Sequence, residues 1–317
     1  MSPFTPKVES LLESYKIQDL RQAYEELSNS YRKKEHSKRF MTSTLHRISY
    51  MAVRMPATFA VCQRIVEKLT TAEKEISTFL DLGAGFGALS WAMDEAYPYV
   101  SKTLIEQDSE TITLGEKLEL PNSNWRVGDF RQSTDNTTYD AIGFSYALSE
   151  VAPSERASIL AKAWHKTNNA LILIEPGTPE GFDVIAQARA QLIEAGASIV
   201  APCTHKMSCP MTNNESWCHF SQYVPRSKSH MDIKKSTLPY EHEKFSYVIF
   251  SKEPIEDSQR TGCIVSMPLK RRGHVLIDQC RAGKIERVTI AQRDKKSFKH
   301  AKKSSWGDSW ENAKIDP

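Results

Sequence analysis

From Ile76 onward the 317-residue chain settles into one rhythm: short apolar runs, at STFLDLG, SKTLIEQD, NWRVGDF, YDAIGFSYAL and NALILIEPG, alternate with helical segments. Strands separated by helix-length crossovers cannot pair as hairpins. Five of them in this order therefore predict an α/β fold with a mostly parallel sheet covered on both faces. Two further runs, 197–202 and 245–251, add a sixth and a seventh strand. Before this block, Val8, Leu11, Leu12 and Tyr15, then Leu20, Tyr24 and Leu27, recur at helical spacing, and Met51 to Leu69 reads as helical around Pro56. A basic stretch, 32–54, lies between them. After about residue 255 the pattern turns β-like at CIVSMPL, GHVLIDQC and ERVTIAQR, with turn signals at Arg272-Gly273 and Ala282-Gly283. The expected organisation is a helical region over 1–75, an α/β domain over 76–254 with a loop-rich insert at 203–244, and a small basic β domain over 255–317.

No run of about eighteen apolar residues is present to span a bilayer. The opening segment sets Lys7 against Glu9 and Glu13, unlike an arginine-rich presequence, so neither secretion nor an organelle leader is expected. The net charge of +3 conceals an asymmetry: residues 260–305 hold 13 Lys and Arg against 3 Asp and Glu, a local +10 that leaves −7 for the remainder. A basic tail of this kind calls for an anionic partner, of which nucleic acid is the commonest.

The first strand runs into Gly83-Ala84-Gly85-Phe86-Gly87 and then a helix, giving D-x-G-x-G-x-G from Asp81. Glycines at a strand-to-helix turn let backbone N–H groups approach a ligand at the helix N-terminus, an opening that dinucleotide-binding domains share. Glu106, at the end of the second strand, can accept two ribose hydroxyls, and Asp129, ending the third, can meet an adenine amine. This order resembles the class I S-adenosylmethionine-dependent methyltransferases over about residues 76–251, with Asp81, Gly83, Gly85 and Gly87 in the first motif and Asp129-Phe130 as the adenine-binding acid motif. The fourth strand carries neither the Asn/Asp-Pro-Pro-aromatic tetrad of amino-directed enzymes nor a Pro-Cys nucleophile. Tyr146 and Glu150 could reach a ligand there, but a packed tyrosine and a solvated glutamate are the favoured readings, and no catalytic residue is assigned.

Three of the six cysteines, Cys203, Cys209 and Cys218, fall within sixteen residues, and Cys280 ends the GHVLIDQC run, while Cys62 and Cys263 stand alone. Six thiols in a chain of this length without an export signal read as reduced, so four of them form a candidate site for a soft metal: tetrahedral zinc or an iron–sulfur cube. The absence of paired C-x2-C knuckles favours the cube. His205 and His219 are possible substitute ligands.

DLGAGFGALSWA, APCTHKMSCP, SWCHFSQYVPRS, FSYVIFSK, PLKRRGHVLIDQC and a terminal WGDSW make the chain similar to the methyltransferase-like proteins of the mitochondrial small ribosomal subunit and their bacterial relatives. That resemblance implies a [4Fe-4S] cluster on Cys203, Cys209, Cys218 and Cys280, joining the methyltransferase domain to the C-terminal domain. It also implies an S-adenosylmethionine pocket, and a role on the small ribosomal subunit and its rRNA, as an assembly factor or as an active rRNA methyltransferase. No membrane association is expected; the protein is read as a monomer off the ribosome, in the bacterial cytoplasm, or in mitochondria if its source is eukaryotic. Trp306 and Trp310 are candidates to stack on a base or to anchor the tail. If charge pairing with phosphates dominates, reversing Lys270, Arg271 and Arg272 together weakens binding to any RNA and flattens the log–log salt dependence by about one unit for each phosphate no longer neutralised. Filter binding across a salt series reads this slope, and an unchanged slope would remove these three residues from the interface.

Overall fold

The structure, a computed structural model, describes residues 2–32, 41–132, 136–213, 216–255 and 261–311. Of the basic stretch 32–54, residues 33–40 lie outside the described residues, as does Arg260 of the basic tail. The chain divides into two compact units, one of residues 1–169 and 222–243, the other of 170–221 and 244–317.

The first unit opens with four helices, α1 (Thr5–Leu12), α2 (Ile17–Arg32), α3 (Thr44–Val53) and α4 (Met55–Thr71). Ser43 caps α3 by accepting from the His46 N–H at 3.2 Å, which satisfies a donor that has no partner inside the helix. Pro56 lies in the first turn of α4, where its missing N–H costs nothing. The continuous helix expected around Pro56 is therefore two helices that meet at Arg54.

Then comes the alternation: β1 (Thr78–Leu82), α5 (Ala88–Ala96), β2 (Ser101–Glu106), α6 (Ser109–Glu116), β3 (Ser123–Val127), β4 (Tyr139–Ser145) and α7 (Pro153–Lys166). These strands lie in the order β3-β2-β1-β4, all parallel, with Thr78 opposite Ser101, Lys102 opposite Ser123 and Phe79 opposite Ala141. The fold is α/β and Rossmann-like, as the alternation predicts. The chain steps outward from β1 to β3 and returns to β4 on the other side of β1. Such a reversal opens a crevice beyond the carboxyl ends of β1 and β4.

β5 (Thr167–Pro176) leads into the second unit, followed by α8 (Pro179–Glu194), β6 (Ser198–Ala201) and the first two residues of β7 (Phe220–Pro225), which runs on into the first unit. After α9 (Lys228–Lys234), which belongs to the first unit, comes β8 (Tyr240–Ser251), antiparallel to β5 and to β6. The insert expected to be loop-rich thus contains a 3-10 turn at Pro210–Asn213, β7, α9 and the start of β8, elements too short to leave a clear period. A separate antiparallel sheet follows, built from β9 (Thr261–Ile264), β10 (Leu269–Lys270), β11 (His274–Arg281), β12 (Lys284–Ala291) and β13 (Ser309–Glu311) in the order β10-β11-β9-β13, with β12 also on β11. Its core is Ile264, Val275, Ile277, Ile290, Phe298, Ala301 and Trp310. Phe298 and Ala301 come from α10 (Lys295–Lys303), a helix absent from the β-like reading because only these two positions, three apart, are apolar. Trp310, 2% exposed, is a core residue rather than a platform for a base.

Within the first unit, His230 on α9 is 1% exposed and neither ring nitrogen makes a hydrogen bond. Glu241 is its nearest charge, 3.7 Å away, and itself holds Arg226 at 2.7 Å and Lys234 at 2.5 Å. Burial pushes the His230 pKa down to about 4, against the opposing pull of Glu241. The folded state thus keeps His230 neutral while the unfolded chain takes up its proton near pH 6.5, so this contribution to stability is full above that pH and fades as pH falls towards 4. Urea unfolding from pH 7.5 to 4 should lose on the order of 2–3 kcal/mol through this group. His230→Leu should flatten the decline in that window, and an identical decline in the variant would assign it elsewhere.

Candidate cofactor cleft and cysteine site

The crevice in the first unit is built on the turn from β1 to α5. Gly83, Gly85 and Gly87 all take positive φ, at 74°, 55° and 79°, a region that only glycine enters freely. A Cβ on Gly83 would lie 2.8 Å from Ala147 Cβ, and one on Gly87 would lie 3.1 Å from Leu104. On Gly85 it would meet no atom within 4 Å. Packing therefore excludes a side chain at Gly83 and leaves little room at Gly87, whereas the middle glycine faces open space. The Gly83 and Ala84 N–H groups donate to the Ile105 carbonyl at 3.0 and 3.1 Å, which ties the turn to the end of β2. There the Glu106 carboxylate accepts from the N–H groups of Gly85 (3.0 Å), Gln107 (2.8 Å) and Asp108 (3.0 Å).

The resulting cleft measures about 680 Å³ and is lined by Gly85, Glu106 and Asp129 among others, a volume suited to a nucleoside-sized ligand. Asp129 is held by Arg131, whose backbone N–H and Nε donate to its carboxylate at 3.0 and 2.9 Å. Asp81 does not line the cleft. It lies fully buried beneath the turn, where Oδ2 accepts from Ser90 Oγ at 2.7 Å and Oδ1 has no partner, and burial pushes its pKa up to about 7. Tyr146, at the end of β4, lines the cleft with φ 58°, a costly conformation for a residue with a side chain. Its hydroxyl is buried without a hydrogen-bond partner, and burial raises its pKa well above the ordinary tyrosine value. Glu150 also lines the cleft.

Sequence reasoning missed one wall of the cleft. Arg47, Tyr50, Met55 and Thr58, from α3 and α4, line it too. Arg47 donates from Nε to Asp108 at 2.6 Å and from Nη1 to Glu110 at 2.9 Å. Burial raises the Asp108 pKa, but the Arg47 and Thr111 hydrogen bonds outweigh it and hold the carboxyl below its usual range. The partners are about sixty residues apart, and no local pattern links them.

All four predicted thiol ligands fall in the second unit. Cys203 and Cys209 follow β6, Cys218 precedes β7, and Cys280 lies on β11. Arg189 of α8 steadies their loop by donating from Nη2 to the carbonyls of His205 and Met207, both at 2.8 Å. Ser246 Oγ donates to the Cys218 carbonyl at 2.8 Å, and His205 Nε2 lies 3.4 Å from Cys280 Sγ. His219 is turned to other work, its ring 5.1 Å from Trp217 and 4.5 Å from that of the half-buried Trp306. Burial raises the thiol pKa values of Cys203, of Cys218 and of Cys280, the last to about 12. Neighbouring thiols add to this effect: Cys263, Cys203, Cys209 and Cys280 all bear on Cys218. Among the described residues, no three His, Cys, Asp or Glu side chains close on one point as a single bound ion requires.

Cys263 does not stand alone, contrary to the sequence reading. It lies on β9 directly opposite Cys280 of β11. Only the strand register reveals this, since seventeen residues separate the two in sequence. Cys62 is buried in α4 of the first unit, 3.5 Å from Ser145 Oγ.

The sequence profile of the family described as mitochondrial small ribosomal subunit Rsm22 matches residues 44–311. A human protein, ribosome assembly protein METTL17, mitochondrial, is 26% identical over 287 residues, covering 82% of this chain and 61% of its own length. Ribosome assembly protein RSM22, mitochondrial, from Saccharomyces cerevisiae is 23% identical over 256 residues, covering 49% of this chain and 40% of its own. This chain therefore spans under two thirds of the length of either relative. Among solved structures, magnesium protoporphyrin IX methyltransferase from Synechocystis PCC 6803 with bound SAM is 13% identical, covers 63% of this chain and 81% of its own, and superposes with a TM-score of 0.41. No helix among the described residues is long and apolar enough to cross a membrane.

Because a Cβ on Gly85 meets no atom, Gly85→Asp adds no clash; its positive φ should cost about 1–2 kcal/mol of stability without unfolding the domain, while a side chain and a negative charge enter the space where a ligand would lie. Calorimetry with S-adenosylmethionine should show at least a tenfold loss of affinity, equivalent to about 1.4 kcal/mol. Undiminished affinity in the folded variant would make the turn purely structural.

Proposed function

We propose a function from one premise: this chain belongs to the Rsm22 family. It acts in assembly of the small ribosomal subunit as an S-adenosylmethionine-binding protein that docks on rRNA. The observation that carries the cofactor is the cleft at the β1–β4 reversal, where Gly85 leaves space for a ligand beside the Glu106 carboxylate. Glu106 would take the ribose hydroxyls in exchange for the Gly85 N–H, Asp129 would face the adenine, and Asp81 would hold the turn from beneath through Ser90. The names of the human and yeast relatives support the ribosomal role, and their mitochondrial location supports the same compartment for a eukaryotic source. A bacterial source would put the protein in the cytoplasm, and off the ribosome it would be a monomer.

Phosphates would meet the basic surface of the second unit. Lys270, Arg271 and Arg272 are exposed, as are Lys295, Lys296, Lys299, Lys302 and Lys303 of α10. Arg281 and Arg287 are already paired with Glu286 and Asp278 and would contribute less.

Cys203, Cys209, Cys218 and Cys280 would hold a [4Fe-4S] cluster. Their chemistry fits: four soft donors, Cys280 buried and the other three half-buried, near enough that neighbouring thiols raise the pKa values of Cys203, Cys218 and Cys280. Tetrahedral zinc, the alternative, needs sulfurs about 2.3 Å from the ion and so about 3.8 Å from one another. The thiols do not close on a point in this way, and a cube, which takes its ligands at separate corners, tolerates a wider set. The cluster would tie the loop after β6 to the C-terminal sheet.

One observation favours the reading of an active rRNA methyltransferase: Tyr146 holds a strained backbone and a buried, unpartnered hydroxyl at the end of β4, where strain often marks function. Methyl transfer needs an in-line nucleophile near the sulfonium more than any particular side chain. Labelled methyl incorporation into small-subunit RNA, compared between deletion and wild-type cells, separates the two. Equal labelling leaves the assembly role alone, and a methyl group missing from the deletion cells establishes catalysis.

Anaerobically purified protein should be brown, with about four iron and four sulfide per chain. Cys203→Ser should lose both, together with much of the stability, because cluster binding is coupled to folding. A colourless protein with one zinc per chain would overturn the cluster.

A further inference from the structure

The cysteine site contains a thiol that neither the four-ligand reading nor the family resemblance includes. Cys263 and Cys280 face each other across the antiparallel β9–β11 pair. Two steps along the same ladder, Val265 donates its N–H to the Asp278 carbonyl at 2.9 Å. Cys263 and Cys280 therefore occupy the same kind of hydrogen-bonded pair, with Cα atoms about 5.5 Å apart and side chains on one face of the sheet. Which face follows from the alternation along each strand. Ile264 on β9, and Val275 and Ile277 on β11, belong to the core shared with Phe298, Ala301 and Trp310. Cys263 and Cys280 have the opposite parity, so both point away from that core. His205, 3.4 Å from Cys280, shows that the loop after β6 covers this face. Cys263 is 5% exposed and Cys280 8%, so the two thiols are equally enclosed.

We propose that Cys263 is a fifth thiol of the cysteine site, able to bind iron in place of Cys280 from the neighbouring strand. The proposal rests on the reading that the site holds an iron–sulfur cluster. Moving a ligand from β11 to β9 keeps the attachment within one sheet, so the C-terminal sheet stays tied to the loop bearing Cys203, Cys209 and Cys218. Such a site tolerates loss of the Cys280 thiolate, by oxidation or alkylation, without release of the cluster.

The test compares wild type, Cys263→Ala, Cys280→Ala and the double variant, all purified anaerobically, by iron and sulfide content and by electron paramagnetic resonance after reduction. Wild type and Cys263→Ala should hold about four iron per chain with the same spectrum, as a four-thiolate cube requires. Cys280→Ala should keep more than half of that iron with a shifted spectrum, since one ligand has moved, and the double variant should fall below a tenth. A Cys280→Ala protein as empty as the double variant overturns the proposal, and so does a double variant that keeps its iron, because another group would then be the substitute. Wild type stripped of its iron by a chelator offers a check independent of folding in the variants. A short bifunctional thiol reagent should bridge residue 263 to 280 or to 218, as read by peptide mapping, and failure to find either link removes Cys263 from the site. An iron-free wild type after anaerobic purification would instead refute the cluster itself, and this inference with it.

Discussion

The chain must pass from Leu82 into α5 within five residues while keeping β1 in register with both neighbours, and that turn conditions the rest of the first unit. Only a backbone with positive φ at Gly83, Gly85 and Gly87 manages it, and the three glycines do not serve alike. Gly83 makes room for Ala147 and Gly87 for Leu104, so the ends of β4 and β2 can approach the turn. Asp81 fixes the turn from below through Ser90, and Ile105 fixes it from the side. What remains in front of Gly85 is the cleft.

A second constraint is the placement of polar groups where water does not reach. Asp81 Oδ1 and the Tyr146 hydroxyl are buried without partners, and an unsatisfied buried group costs about 1–3 kcal/mol. Both lie at or directly behind the cleft, whereas Arg47 there is fully engaged by two carboxylates. The thiol group follows the same logic in the second unit. Burial and neighbouring thiols together disfavour ionisation of Cys203, Cys218 and Cys280. An arrangement of this kind gains from a cation and little from its absence.

Much of the first unit was legible because parallel strands covered on both faces carry short apolar runs, as β1 (TFLDL) and β4 (YDAIGFS) do. Short elements escaped. β7 and α9 occupy a stretch rich in Ser, Asn and Pro that reads as loop, and α10 presents mostly lysine to any periodicity test. The glycine turn and Glu106 were found from local pattern. Arg47, Tyr50 and Thr58 were not, because their place in the cleft depends on how α3 and α4 pack.

The sequence by itself determined the α/β class, the turn at Gly83 to Gly87 and the clustering of Cys203, Cys209 and Cys218, since each is a property of neighbours along the chain: a strand period, a φ requirement, a short spacing. Tertiary structure alone decided that Asp81 supports the turn instead of facing the cleft, that Trp310 fills a core, and that Cys263 stands opposite Cys280. Those outcomes depend on strand register and on the face a side chain takes, where a shift of one residue reverses the answer.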